Sequence, residues 1–326
     1  MAAHSPSVVV FVLCLTLGTE YLHGQTNLPA AKSQLIERVE KTTRPEQPEV
    51  RLFLRLPAGH TAEKPTAKGV LAYCTYLAKD ESLRTLILND SDPLIAFARK
   101  HGFAILTWNT ATLWRSGKSF DQIKRQEQQM LDGLFDDVAR AWERGTRALC
   151  KEYGLPNSGF LLYGISRGAH WGGRLALREP ERFLAVHIHV ANSYDRVVPS
   201  AAGSLWLVSS GDLDTGRENA IAFYRLLQGR RFPVILKVAN GLGHEENAEI
   251  KTLGVTFFDY ALKIAKRAVE KTPAELMLED LKSAGLTGDL LTQEVYRGDT
   301  ASVVPESQRV PLPDEKVAKA WGFLRK

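Results

Sequence analysis

The stretch FLLYGISRGAHWGGRLALRE, residues 160–179, decides the fold. Its first residues form an apolar run that reads as a strand covered on both faces, and the residues from Arg167 onward read as a helix. Between them, Gly164-Ile165-Ser166-Arg167-Gly168 matches G-x-S-x-G. In a strand–turn–helix context this pattern is an elbow that lifts a serine hydroxyl above the carboxyl edge of a sheet. The turn strains the serine backbone, and any side chain at Gly164 or Gly168 would meet the adjacent strand or helix. Gly172 and Gly173 allow further close approach of the helix. Ser166 is therefore the candidate nucleophile. The backbone N–H of Arg167, at the helix start, is a candidate oxyanion donor.

Outward from the elbow, short apolar runs alternate with helical patterns. Toward the N-terminus lie VRLFLRLP (50–57), expected near a sheet edge, and the buried strands GVLAYC (69–74) and FAILTW (103–108). Between those two strands PLIAFARKHG reads as a helix closed by Gly102. A long helix is expected from about Ser119 to Tyr153, capped by Ser119 or Asp121. Toward the C-terminus follow strand FLAVHIHV, strand SLWLVSS, helix ENAIAFYRLLQ, strand PVILKVA and a long helix. This alternation predicts an α/β fold, a mostly parallel sheet with helices on both faces. The segment from Ala191 to Gly203 is too short for a lid, so no large cap domain is expected.

A serine hydroxyl needs a base to become a nucleophile at neutral pH. Loops after the later strands collect at the same edge as the elbow. His244, in Asn240-Gly241-Leu242-Gly243-His244, follows strand PVILKVA and is the best candidate among the eight histidines. The acid that orients its imidazole should follow the preceding strand, where Gly211-Asp212-Leu213-Asp214 offers two carboxylates. Asp214 is favoured and Asp212 remains the alternative. The order Ser, Asp, His along the chain agrees with α/β-hydrolases.

From about Val50 to Val269 the chain resembles the α/β-hydrolase superfamily, and GISRG, GDLD and GLGH carry the match. The stretch GISRGAHWGGRLALREPERFLAVHIHV looks like compact secreted esterases related to polyhydroxybutyrate depolymerases and dienelactone hydrolases, whose elbow helix also ends in Pro-Glu-Arg, here Pro180-Glu181-Arg182. The resemblance implies ester hydrolysis through an acyl-enzyme, with neither cofactor nor metal. The sequence departs from many lipases and esterases after strand GVLAYC, which runs into Cys74-Thr75-Tyr76-Leu77 with no glycine. The second oxyanion donor is then the backbone N–H of Thr75 or Tyr76, or the Tyr76 hydroxyl. An uncovered cleft suits a bulky ester, polymeric or carbohydrate-linked. Trp108, Asn109, Trp114 and Tyr194 are candidate substrate-binding residues, with the tryptophans packing under their loop as the alternative. A peptidase or acyltransferase using the same residues, and a catalytically silent ligand-binding homologue, are the other readings.

The remaining features bound the possibilities. The chain has 326 residues, 44% hydrophobic and 24% charged, with a net charge of +5 spread along its length. No basic stripe with interleaved aromatics and no zinc-finger spacing is present, which argues against a nucleic-acid partner. The apolar run from about Val8 to Leu17 has the length of a signal-peptide core rather than a membrane span. A leader of residues 1–24, with cleavage as late as 31, would make the protein secreted or periplasmic, without stable membrane insertion. The hydrolase domain is expected over 45–270. Residues 271–326 read as an extended return segment packed on it and ending in a helix. Cys74 and Cys150 are read as unbridged, and His187 and His189 as a hydrogen-bonded core pair rather than a metal site. Oligomeric state is not encoded in any recognisable pattern.

Overall fold

The computed structural model describes residues 12–13, 33–44, 47–77, 79–109 and 125–325. The proposed leader therefore lies outside the described residues apart from Val12 and Leu13, as do the expected helix caps Ser119 and Asp121. The architecture is mixed α/β with a mostly parallel sheet, as the alternation predicts. The chain divides into two compact units: residues 1–71, 77–90 and 98–157, and residues 72–76, 91–97 and 158–326.

In the first unit, strands β1 (Val12–Leu13), β2 (Leu35–Arg44), β3 (Gln47–Arg55) and β5 (Ala104–Trp108) lie in that order and pair antiparallel. Strand β3, expected near a sheet edge, is third in this order, between β2 and β5, and its Val50, Leu52, Phe53 and Leu54 are all buried. Strand β2, LIERVEKTTR, escapes a reading based on apolar alternation because charged residues dominate it. Those charges are matched by neighbours: Arg38 pairs with Glu40, and Glu37 with Arg84. Helix α1 (Asp80–Leu88), also unforeseen, is short and buries Leu83 and Ile87 four residues apart. The expected long helix is α3 (Arg125–Glu152), whose Leu134, Phe135, Val138 and Trp142 are buried.

The second unit holds the end of β4 (Val70–Cys74), then β6 (Phe160–Ile165), β7 (Phe183–His189), β8 (Leu205–Gly211) and β9 (Val234–Ala239), adjacent in that order. Strands β6 to β9 are parallel, and their registers pair Leu162 with Val186 and Tyr163 with His187. Alternation then puts Leu162 and Ile188 on one face, and Tyr163 and His187 on the other. Helix α4 (Arg167–Arg178) lies on the first face, with Gly172 against Leu162 and Gly173 against Ile188. Helix α6 (Ala248–Arg267) lies on the second, with Gly254 against His187. Helix α5 (Arg217–Gly229) joins β8 to β9. Helix α2 (Pro93–His101), whose first residues belong to this unit, ends at Gly102 with φ +69.

The C-terminal residues form more regular structure than an extended return. Helix α7 (Pro273–Ser283) starts at a capping box between Thr272 and Glu275. Strands β10 (Leu286–Asp289), β11 (Glu294–Arg297), β12 (Arg309–Leu312) and β13 (Phe323–Leu324) make a second sheet in the order β12-β10-β11-β13, with helix α8 (Glu315–Trp321) before the last. Val295, Val310, Leu312, Val317 and Trp321 are buried there. The sheet was not foreseen because its strands are only a few residues long and punctuated by glycine and proline. Trp321 Nε1 donates to the carbonyl of Leu236 at 2.6 Å, and the buried Lys237 ammonium donates to Gln293 and to the Trp321 carbonyl. These contacts cover β9, the outer strand of the parallel set, whose free edge would otherwise invite pairing with another chain.

Among the described residues no helix is long and apolar enough to cross a membrane. Cys74 and Cys150 are buried and unbridged.

Candidate active site

The elbow has the geometry its glycines require. Ser166 sits between β6 and α4 at φ 55, ψ −124, a region that non-glycine residues rarely enter. Its N–H donates to the His189 carbonyl at 2.9 Å, which fastens the turn to the end of β7. A Cβ at Gly164 would stand 2.7 Å from the Ala169 Cα, and one at Gly168 would stand 2.2 Å from the Cys74 carbonyl oxygen. The start of α4 is thus pressed directly onto the backbone of residues 74–75.

Three side chains named from sequence meet here. Ser166 Oγ lies 2.8 Å from His244 Nε2, and His244 Nδ1 lies 3.0 Å from Asp214 Oδ1. The Asp214 carboxylate accepts at Nδ1, so that nitrogen carries the proton and Nε2 presents a lone pair to the serine hydroxyl. Asp214 is buried, and it also accepts from the Gly216 N–H and the Ser210 hydroxyl, each at 3.1 Å. Asp212, the alternative acid, does not reach the imidazole. Its backbone builds the turn instead, donating to Ala239 and accepting from Arg217. Gly211 makes this turn possible, since a Cβ there would stand 1.9 Å from the Leu242 carbonyl oxygen. The acid turn and the histidine loop touch backbone to backbone.

The sequence reading missed how firmly the segment around His244 is tied down. The Leu242 carbonyl accepts from the Leu213 N–H at 3.0 Å. The Glu245 carbonyl accepts from His189 Nε2 at 2.8 Å. The Glu246 carboxylate accepts from the Tyr163 hydroxyl at 2.6 Å and from Lys251 at 2.8 Å, and Lys251 also pairs with Asp92. Asn247 caps α6 by accepting from the Ile250 N–H. The E-E-N run at 245–247 was the available signal: two carboxylates and a cap residue directly after a candidate base.

His187 and His189, read as a core pair, both bond to Ser209 Oγ, at 2.8 and 2.9 Å. Burial pulls the pKa of each below its ordinary value, most strongly for His187, so both rings are neutral. The protons can then be placed. A carbonyl only accepts, so His189 Nε2 carries hydrogen toward Glu245, leaving Nδ1 to accept from the Ser209 hydroxyl. The Ser209 oxygen in turn accepts from His187 Nε2. That leaves His187 Nδ1 bare, in agreement with its having no hydrogen-bond partner and facing Gly254. Among the described residues no group of three metal-ligating side chains occurs.

Around the candidate oxyanion position, neither the Arg167 N–H nor the Tyr76 N–H is hydrogen-bonded among the described residues. Thr75 is buried, whereas the Tyr76 side chain is half exposed. The expected substrate-binding residues fare differently. Trp108 is buried and packs on Trp142, ring centroids 5.4 Å apart, so it belongs to the core of its own unit. The Asn109 side chain accepts from the Arg51 N–H at 2.9 Å, a backbone-fixing role. Trp114 lies outside the described residues. Tyr194 stacks on Phe223 at 4.4 Å, and its hydroxyl is buried without a hydrogen bond rather than offered to a cleft.

No family model matches the chain, and no curated protein matches it by sequence. Solved structures do match. A ferulic acid esterase aligns over 66% of this chain and 92% of its own, at 14% identity and a TM-score of 0.45. An S-formylglutathione hydrolase from Agrobacterium tumefaciens aligns over 72% and 96%, at 13% identity and a TM-score of 0.48. A protein described as a dipeptidyl aminopeptidase IV from Bacteroides ovatus aligns over 71% of this chain and 36% of its own, at 14% identity and a TM-score of 0.50. The likeness to the last of these is one of fold.

Proposed function

We propose that this chain, an α/β-hydrolase by fold, is an exported serine hydrolase that cleaves carboxylic esters through an acyl-enzyme. The observation that carries the reading is the 2.8 Å contact between Ser166 Oγ and His244 Nε2, with Asp214 at the other ring nitrogen. Ser166 Oγ attacks the ester carbonyl as His244 Nε2 takes its proton. The oxyanion forms against the Arg167 N–H and a second donor, for which the unpaired Tyr76 N–H is the first choice and Thr75 or the Tyr76 hydroxyl the others. Each such donor is worth about 2.7–4 kcal/mol of transition-state stabilisation. Collapse of the intermediate breaks the bond to the alcohol oxygen, which leaves with the proton from His244. A water then repeats the sequence on the acyl-enzyme and frees Ser166. Asp214 holds the Nδ1–H tautomer and stabilises the imidazolium.

Between β7 and β8 the segment 190–204 carries only a short turn of 3-10 helix, Pro199–Gly203. This supports an uncovered cleft and bulky or polymeric esters, carbohydrate-linked ones included. Export rests on the apolar run near the N-terminus, and N-terminal sequencing of protein recovered outside the cytoplasm tests it.

A fluorophosphonate probe tests the nucleophile. One probe per chain on Ser166, lost in Ser166→Ala together with up to about a millionfold in kcat, is the expected result. A folded protein that resists the probe, or carries it elsewhere, defeats the proposal. A panel of aryl esters, feruloyl esters, acetylated sugars and aminoacyl amides then separates an esterase from a peptidase using the same three residues.

A further inference from the structure

Arg167 follows the proposed nucleophile directly, and its guanidinium has no hydrogen bond, ion pair or ring contact among the described residues. It is also half-buried. That combination sets it apart. Other arginines withdrawn from solvent have found acceptors or rings: Arg55 pairs with Asp90, Arg84 with Glu37, Arg174 with Asp195, and Arg182 lies over Phe160. The arginines that stand without partners, such as Arg196 and Arg231, are exposed and served by water. Partial burial of a guanidinium with no anion beside it is unfavourable. Its pKa is drawn down by burial alone, with no neighbouring carboxylate opposing the effect.

We infer that Arg167 is a specificity determinant, and that the preferred substrates are esters bearing an anionic group, a carboxylate or phosphate, within one arginine side chain of the scissile carbonyl. This rests on the ester-hydrolase reading above. The planar guanidinium offers paired N–H donors that match the oxygens of either anion in a fork. Because Arg167 adjoins Ser166, its side chain reaches no farther than the immediate surroundings of the acyl carbon. An anion there neutralises a charge that the described residues leave uncompensated. The net charge of +5 brings such a substrate in rather than repelling it.

The test uses two isosteric pairs on the full chain. One pair varies the alcohol, 4-carboxyphenyl butyrate against 4-carbamoylphenyl butyrate. The other varies the acyl group, the p-nitrophenyl monoester of glutarate against p-nitrophenyl 4-carbamoylbutyrate. In at least one pair the carboxylate ester should have a kcat/KM about tenfold or more above its carboxamide twin, as for a charge-assisted hydrogen bond. In Arg167→Met that ratio should collapse toward one, and Arg167→Lys should keep an intermediate ratio, since it retains charge without the fork. The ratio cancels any general loss of activity or folded fraction in the variants. Ratios near one in wild type for both pairs, or a ratio that survives Arg167→Met, overturn the inference while leaving the hydrolase standing. No turnover of all four esters, with no labelling by fluorophosphonate, overturns both.

Discussion

Helix α4 contains a matched pair of substitutions whose signs should be opposite. In Gly168→Ala the new methyl would lie 2.2 Å from the Cys74 carbonyl oxygen and 2.6 Å from the Thr75 nitrogen, where ordinary contact begins at 3.4 Å. The shortfall of 1.2 Å is against backbone, so no rotamer change relieves it. Either the elbow helix or the strand-to-loop backbone at residues 74–75 must move by about an ångström. Overpacking of this kind costs roughly 1–3 kcal/mol of stability. The same movement widens the space between the Arg167 and Tyr76 N–H groups, and misplacement on that scale costs on the order of a hundredfold in rate. In Gly173→Ala the nearest atoms are two Ile188 carbons at 3.8 Å, an ordinary contact. Alanine in a helix interior is favoured over glycine by roughly 0.5–1 kcal/mol, so this variant should be more stable than wild type. Guanidinium unfolding and the second-order rate of fluorophosphonate labelling read both effects. Gly168→Ala should fall in denaturation midpoint and lose about two orders of magnitude in labelling; Gly173→Ala should rise in midpoint and label normally. A Gly168→Ala protein matching wild type in both would refute the claim that this glycine sets the spacing of the site.

Three further outcomes follow from the hydrogen-bond pattern. Asp214→Asn should lower kcat on an ester about 10⁴-fold by favouring the wrong imidazole tautomer, whereas Asp212→Asn, whose carboxylate does not touch the ring, should stay within about tenfold of wild type. Ser209→Ala removes the donor to His189 Nδ1 and the acceptor for His187 Nε2 and should cost about 1–3 kcal/mol of stability. If Ser209 also helps position the histidine segment, kcat should fall with little change in KM, and Ser209→Thr should restore both. The third concerns pH: His187 and His189 have folded pKa values below their ordinary 6.5, so the unfolded chain binds more protons between the two values. Stability should then rise with pH up to about 6.5 and be lost below it, at up to about 1.4 kcal/mol per pH unit for each ring. His187→Asn should reduce that slope in denaturant midpoints measured from pH 5 to 7; an unchanged slope would mean the ring is not held neutral.

Much of this was legible in the sequence because the elbow and its two partner loops follow apolar strands, where pattern and chemistry reinforce each other. Gly102 and Pro93 bounded a helix correctly for local reasons, a left-handed turn and a fixed φ. The misses share a physical cause, which is structure held by something other than an apolar stripe. Strand β2 is specified by charge pairing, and the C-terminal sheet by Trp321 reaching β9 and by Lys237 reaching out from it. Trp108 looked like a cleft residue because aromatic residues after a strand serve either purpose; only its packing on Trp142 decides. Tyr194 fell to the same ambiguity, with Phe223 as the deciding partner. The sequence marked Arg167 for its backbone N–H but gave its side chain no role, since the property that matters there is a missing partner.

The histidine segment shows how the proposed chemistry and the folding energetics are joined. Residues 242, 245, 246 and 247 each bond to a different part of the unit: the acid turn, β7, the pair β6 and α6, and the first turn of α6. His244 stands between these bonded residues. Ordering a loop of this kind costs about 1–2 kcal/mol per residue in backbone entropy, and here that cost falls on folding. None of it recurs when a substrate binds, so the imidazole meets the serine without reorganisation, the condition under which proximity lowers a barrier. The His187–Ser209–His189 chain is neutral, and the Glu246 charge is met by Lys251 at 2.8 Å. Asp214, buried and fixed by Ser210 and Gly216, is the carboxylate that bonds to His244 directly. Position is thus set by one group of residues and tautomer by another, which is why Ser209→Ala and Asp214→Asn should impair the same step by separable routes.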